Sequence, residues 1–235
     1  MKYFLNRIAE IIFPQRCVVC DRALRSGSLG FCETCGNKIK YVNEPVCFKC
    51  GRPLEELSEY CDDCKKKKHY FIAGRFPYSY REISESVYRF KYNNRAEYAK
   101  TYAMAVKMNL ADWVESIKAD AFVPIPLHKK RQAKRGYNQA EEFAKELSKC
   151  FGIPMRSDLC ARSKNTIPQK EFGMRARQNN VKKAFIIKKN DVKLNTIILV
   201  DDIFTTGSTI DSLAKEFLQA GVKKVYFISI TAAGT

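Results

Sequence analysis

Hydrophobic spacing changes repeatedly along the 235 residues, and each change predicts an element. Phe4, Leu5, Ile8, Ile11 and Ile12 form an apolar stripe interrupted by Arg7 and Glu10, the pattern of a short amphipathic helix docked on the rest of the chain. Residues 14–70 then hold few large apolar side chains. Tyr70 to Tyr80 alternates aromatics with small or charged residues and predicts a strand pair or an extended lead-in. Between Glu82 and Leu110, Ile83, Val87, Phe90, Tyr98, Tyr102, Ala105 and Val106 recur at helical spacing, and Asn93-Asn94 divides the run into two helices. Ala121 to Pro126 reads as a strand, a basic loop runs from Leu127 to Gly136, and Tyr137 to Cys150 is patterned as an amphipathic helix.

The alternation continues. Met155 to Ala161, Ala184 to Ile187 and Ile197 to Val200 predict strands, Ser208 to Ala220 a helix capped by Gly221, and Lys224 to Thr231 a closing strand. Strands alternating with helices predict an α/β fold, a parallel sheet flanked by helices and wound on both faces. The division expected is residues 1–69 as an amphipathic helix plus a small cysteine-rich module, and 70–235 as the main domain. Arg162 to Lys183 has few large apolar residues and is long for a connection, so it reads as a basic lid or as a surface loop.

Cysteine spacing changes the picture of the first part. Eight of ten cysteines form four C-x-x-C pairs, Cys17/Cys20, Cys32/Cys35, Cys47/Cys50 and Cys61/Cys64, separated by 11, 11 and 10 residues. Thiolates of one such pair converge on a cation, and two pairs complete a tetrahedral zinc site. So small a segment depends on metal for its fold, and all-cysteine sites are closed, so one or two structural zinc ions are expected. Pairing first with second and third with fourth is the simplest arrangement; equal spacing leaves a cross-braced alternative open. The Lys65–Lys68 run and His69 mark the exit of this module; the run reads as a solvated linker, with contact to a nucleic-acid backbone as the alternative. Cys150 and Cys160 read as core thiols.

Charge adds a partner. The formal net charge is +17; residues 1–70 hold 13 basic and 9 acidic side chains, the remainder 29 and 16. Such an excess favours an anionic ligand. No stretch approaches the roughly 20 apolar residues of a membrane span, so the expected location is cytoplasmic.

The chemistry concentrates at Ile197 to Ile210, where four apolar residues run into Asp201 and Asp202 and then into Thr205, Thr206, Gly207, Ser208 and Thr209. This layout predicts a buried parallel strand that presents two carboxylates at its end, then a turn able to cup a phosphate at a helix N-terminus. A ribose 5-phosphate fits it.

That stretch resembles the phosphoribosyl pyrophosphate (PRPP) motif of type I phosphoribosyltransferases. Over almost the whole chain the resemblance narrows to the ComF family of competence-associated, phosphoribosyltransferase-like proteins. Ile12-Phe-Pro-Gln-Arg-Cys17 and the four cysteine pairs are similar to that family's N-terminal double zinc ribbon, and Phe90-Lys91-Tyr92 to its F-K-F/Y element. Val123 to His128 and Arg135-Gly-Tyr-Asn-Gln139 are similar to its P-I-P-L and R-G-F-N-Q stretches. Thr166 to Gln169, Arg177, Asn180 and Phe185 match further features.

The resemblance implies roles. Asp201 and Asp202 would hold the ribose hydroxyls, directly or through Mg²⁺, and Thr205 to Thr209 the 5′-phosphate. Pro126, Leu127, His128, Lys129 and Lys130 would form the pyrophosphate loop, and 162–183 a hood carrying Arg177 as a catalytic cation. Some purine enzymes with this motif place a carboxylate three residues after the second acidic position; here that residue is Thr205, which weakens a purine-salvage assignment. The reading is therefore PRPP binding with Mg²⁺ and transfer to a base-like acceptor during DNA uptake. The alternative is a protein that binds single-stranded DNA among competence or DNA-processing partners and uses PRPP as a regulator.

Overall fold

A computed structural model describes residues 14–25, 27–56, 58–163, 184–188 and 193–235. The amphipathic stripe at 1–13 and the segment with Thr166–Gln169, Arg177 and Asn180 lie outside them. In chain order the elements are α1 (Glu33–Gly36), α2 (Asp62–Lys66), β1 (Gly74–Arg75), β2 (Tyr78–Ser79), α3 (Tyr80–Tyr92), α4 (Tyr98–Ile117), β3 (Ala121–Pro124), α5 (Lys129–Arg135), α6 (Gln139–Phe151), β4 (Cys160–Arg162), β5 (Phe185–Ile187), β6 (Thr196–Phe204), α7 (Ser208–Gln219) and β7 (Lys224–Ala232). The main sheet runs β1-β7-β6-β3 with β2 also on β7, and every pairing in it is parallel.

Alternation along β6 assigns its two faces. Ile197 and Leu199 pack with Leu213, Ala214 and Phe217 of α7. Ile198 and Val200 pack with Tyr102 and Val106 of α4 and Phe143 and Leu147 of α6. A strand covered on both faces reads as an unbroken apolar run, which is why 197–200 shows no period of two. Burying each such side chain contributes about 1.5–3 kcal/mol before entropy is counted. The sheet is the expected α/β architecture.

Three expectations need correction. Leu127–Gly136 is not a loop but contains α5. Its Lys, Arg, Gln and Ala residues are good helix formers, His128 Nδ1 caps it by accepting from the Lys130 N–H (3.2 Å), and Gly136 ends it at φ 82°. Residues 155–161 and 184–187 do not extend the main sheet. Met155 makes a single parallel bridge to Phe122, while β4 and β5 pair with each other, antiparallel. Finally, β6 runs past Val200 to Phe204, because β7 continues to pair with it through Asp201↔Ser229, Ile203↔Thr231 and Phe204↔Ala232.

The first cysteine segment docks on α3 and α4. Asp21 accepts from Arg95 (2.8 and 2.7 Å) and from the Tyr98 hydroxyl (2.6 Å), and Arg89 donates to the Val19 carbonyl. Burial pulls the Asp21 carboxyl upward, but hydrogen bonds from Arg95 and Tyr98 win and hold it below the usual carboxylate value. The resulting stability is in place above about pH 4 and is lost as pH falls through the depressed value. Arg95→Ala should cost about 1–2 kcal/mol near pH 7, and thermal melts at pH 3 should show a smaller difference.

Candidate functional site

The carboxyl end of β6 and the start of α7 meet at a glycine turn. Gly207 is the N-cap of α7 at φ 74°, and no side chain caps the helix. Its first-turn N–H groups and the positive end of the helix dipole are thus available to an anion. A Cβ at Gly207 would come within 3.1 Å of the Phe204 ring and 3.2 Å of His69 Cε1, a tight fit that adds to the φ that favours glycine here. Thr205, Thr206 and Ser208 are exposed, with the Thr206 hydroxyl donating to Ser208 Oγ at 3.1 Å. Thr209 is half-buried.

Asp201 and Asp202 precede this turn. The Asp202 N–H donates to Asp201 Oδ1 (2.8 Å), Lys91 Nζ lies 3.1 Å from Asp202 Oδ1, and Arg135 Nη1 lies 3.8 Å from Oδ2. Burial and then the charge of Asp202 push Asp201 up to about 7, against the pull of Lys91 and Arg162. Between pH 4 and 7 the folded chain therefore keeps a proton that the unfolded chain has released. Stability falls as pH rises through that window and is level above it. Asp201→Asn should raise the melting temperature at pH 8 by an amount worth at most about 4 kcal/mol, and change little at pH 4.

Pieces distant in sequence meet here. Lys91 projects from the end of α3, where the Phe90 carbonyl accepts from the Tyr137 hydroxyl. Arg135 stacks over the Tyr92 ring (5.2 Å) and donates to Gln139 Oε1 (2.8 Å). Asn138 caps α6 through Ala140 N (3.2 Å) and donates to the Ile125 carbonyl (3.1 Å), fixing the turn after β3. Each residue of Arg135-Gly-Tyr-Asn-Gln139 thus has a structural partner or conformation that the site uses. After Ile125, the half-buried Pro126, Leu127 and His128 lead to exposed Lys129 and Lys130. The Lys130 amide is already engaged by His128, which leaves its ammonium as the group free for a ligand. On β4, Arg162 lies over the Phe185 ring of β5 at 5.4 Å. Arg177 is outside the described residues.

The cysteines gather as Cys17, Cys20, Cys32 and Cys35, and as Cys47, Cys50, Cys61 and Cys64, with ligand atoms of each set within 4.8 Å of one another. This is the sequential pairing, and it removes the cross-braced alternative. A tetrahedron of 2.3 Å zinc–sulfur bonds has sulfurs about 3.8 Å apart. Cys20 and Cys32 are 3.8 Å apart and Cys50 and Cys61 3.6 Å, so the donor sets fit closed zinc sites.

The sequence reading missed the roles of four residues near the turn. Arg52 donates to the Thr205 carbonyl (2.5 Å), Lys67 to the Thr206 carbonyl (2.9 Å), and His69 Nδ1 lies 2.9 Å from Asp211 Oδ2. The Lys65–Lys68 run is accordingly not wholly a solvated exit. Its one advance signal was His69, one of only two histidines, five residues after Cys64.

Residues 8–65 match the family described as a double zinc ribbon domain. Competence protein F of Haemophilus influenzae is 30% identical over 222 residues, covering 91% of this chain and 95% of that protein. The chain belongs to the ComF family. Competence protein ComFC of Bacillus subtilis is 28% identical over 200 residues (81% of this chain, 78% of that one). DNA utilization protein YhgH of Escherichia coli is 26% identical over 220 residues (90% and 94%). A purine phosphoribosyltransferase from Pyrococcus horikoshii Ot3 overlaps 55% of this chain and 80% of its own at 13% identity, with a TM-score of 0.30, too loose a likeness to argue from. Among the described residues no helix is long and apolar enough to cross a membrane.

Proposed function

We propose that this chain binds PRPP with Mg²⁺ and transfers its phosphoribosyl group to a base-like acceptor in the context of DNA uptake. The observation that carries this reading is the uncapped N-terminus of α7, with Gly207 at its cap, directly after a carboxylate pair ringed by Lys91, Arg135 and Arg162. Thr205 to Thr209 would hold the 5′-phosphate through backbone N–H groups and hydroxyls. Asp201 and Asp202 would accept from the ribose hydroxyls. The cations around them would counter pyrophosphate. Two carboxylates beside substrate phosphate oxygens are a donor set that suits Mg²⁺, which would neutralise charge on the leaving group.

In such a reaction the bond from the anomeric carbon to pyrophosphate breaks as a bond to the acceptor forms. The chain's residues would act by positioning the reactants, stabilising departing charge and excluding water. Exposed Thr205 occupies the position, three residues after Asp202, where some purine enzymes with this motif place a carboxylate, and its hydroxyl cannot serve as a base. Transfer is tested by pyrophosphate release from PRPP and Mg²⁺ over a panel of acceptors. A silent panel with intact PRPP binding would favour a second reading, in which the site regulates single-stranded DNA binding.

That second reading is supported by the relatives' names and by exposed Lys129 and Lys130. It requires affinity for single strands to fall with salt, with a log–log slope of about −0.7 per phosphate contact. No binding at low salt would remove it.

A further inference from the structure

We propose that the second cysteine cluster positions the phosphate loop, with Arg52 and His69 as positioning residues, so that the contacts of the ribbon around Cys47, Cys50, Cys61 and Cys64 set anion affinity at 205–209. The inference rests on the phosphate-binding reading of that loop. Its basis is where the contacts fall. In a trans peptide the carbonyl of one residue and the N–H of the next point in opposite directions. Arg52 takes the Thr205 carbonyl and Lys67 the Thr206 carbonyl, both from the ribbon side. The N–H groups of Thr206 and Gly207 are thereby turned away from the ribbon, toward the open side of the corner. A carbonyl held by a cation also polarises its own peptide N–H into a stronger donor.

Both clamps are anchored to the metal-ligand knuckles. Arg52 follows Cys50 by two residues, pairs with Asp63 between Cys61 and Cys64 (2.6 Å), and lies over the Phe204 ring at 5.4 Å. Lys67 follows Cys64 by three residues and lies 3.2 Å from Asp211 Oδ2.

A third connection runs through His69, whose side chain is 2% exposed and stacks on Phe71 at 4.6 Å. One ring nitrogen is 3.7 Å from Cys64 Sγ and the other faces Asp211 in the first turn of α7. Asp211 accepts from the Tyr70 N–H (2.9 Å), and its own N–H donates to the Gly207 carbonyl (2.8 Å). The chain from sulfur to loop is continuous. Ordinary domain packing would not need three polar contacts placed on the loop's carbonyls and on the helix's first turn. The first cluster supplies the comparison, since its polar contacts described above go to α3, α4 and Arg95 between them.

The test uses full-length, zinc-loaded protein in three variants. Arg52→Met keeps length and loses the donors, His69→Phe keeps the stack on Phe71 and loses both ring nitrogens, and Arg95→Ala perturbs only the docking of the first ribbon. Zinc content, backbone ¹⁵N order parameters of 205–208 without ligand, and PRPP·Mg²⁺ affinity are measured. Arg52→Met and His69→Phe should retain zinc, drop the order parameters from about 0.85 to below about 0.6, and weaken affinity about tenfold. Arg95→Ala should change neither loop order nor affinity. Unchanged loop order in both ribbon variants overturns the proposal, as does a loosened loop with full affinity or an equal effect of Arg95→Ala. If wild-type protein binds no PRPP, the phosphoribosyl reading falls while loop order still decides whether the ribbon acts as a brace.

Discussion

Asp201→Asn/Asp202→Asn should lower PRPP affinity at least about a hundredfold, measured by calorimetry at fixed Mg²⁺, while zinc content stays unchanged. A hydrogen bond to a charged group is worth about 1.5–3 kcal/mol, and two lost together give roughly a hundredfold to ten-thousandfold. Asparagine at 201 still offers an oxygen to the Asp202 N–H, so the strand end keeps its local bond. Lys91 and Arg135 would lose their carboxylate partner and leave the corner more positive. Inorganic pyrophosphate without Mg²⁺ should therefore bind the double variant at least as well as wild type. That contrast separates a ribose-holding role from general attraction of anions. Retained PRPP affinity in the double variant would contradict the assignment of both carboxylates.

The largest effect on stability is expected at Cys50→Ser, with the matching change at Cys20 costing less. Cys47 and Cys50 are fully buried and belong to the same apolar cluster as Leu199, Phe204 and Phe227 of the main sheet, whereas Cys20 is exposed. Loss of a ligand there removes metal-binding energy, which in small zinc modules is folding energy. It also leaves Arg52 and Lys67 on a knuckle without its anchor. Cys50→Ser should lower the melting temperature by more than about 10 °C and reduce soluble yield, and zinc analysis should find one ion fewer than in wild type. Equal melting temperatures for the Cys50 and Cys20 variants would contradict this asymmetry.

The chain's periodicity made most of the sheet and its helices legible. Asn93-Asn94 broke a helical run where α3 ends and α4 begins, and Gly221 followed α7 as a left-handed residue at φ 103°. Helix α5 was missed because its six charged or polar side chains drew attention to electrostatics, although their backbone propensity was already helical. The β4–β5 pairing was missed because alternation tells which face a residue occupies and not which strand lies beside it.

For the site, local motifs pointed to Asp201, Asp202 and the 205–209 turn, and the structure brings them together with Lys91 and Arg135. Arg52, Lys67, His69 and Asp211 were illegible because their partners lie over a hundred residues away. Their meaning comes from tertiary packing between the second cysteine cluster and α7, for which the spacing of cysteines carries no signal.

The most direct measurement is a calorimetric titration of the zinc-loaded wild-type chain with PRPP in the presence of Mg²⁺. Saturation at one site per chain, with a dissociation constant between about 1 μM and 1 mM and loss of that heat in Gly207→Ala, is the result predicted. No saturation at millimolar PRPP would contradict the account of residues 197–210.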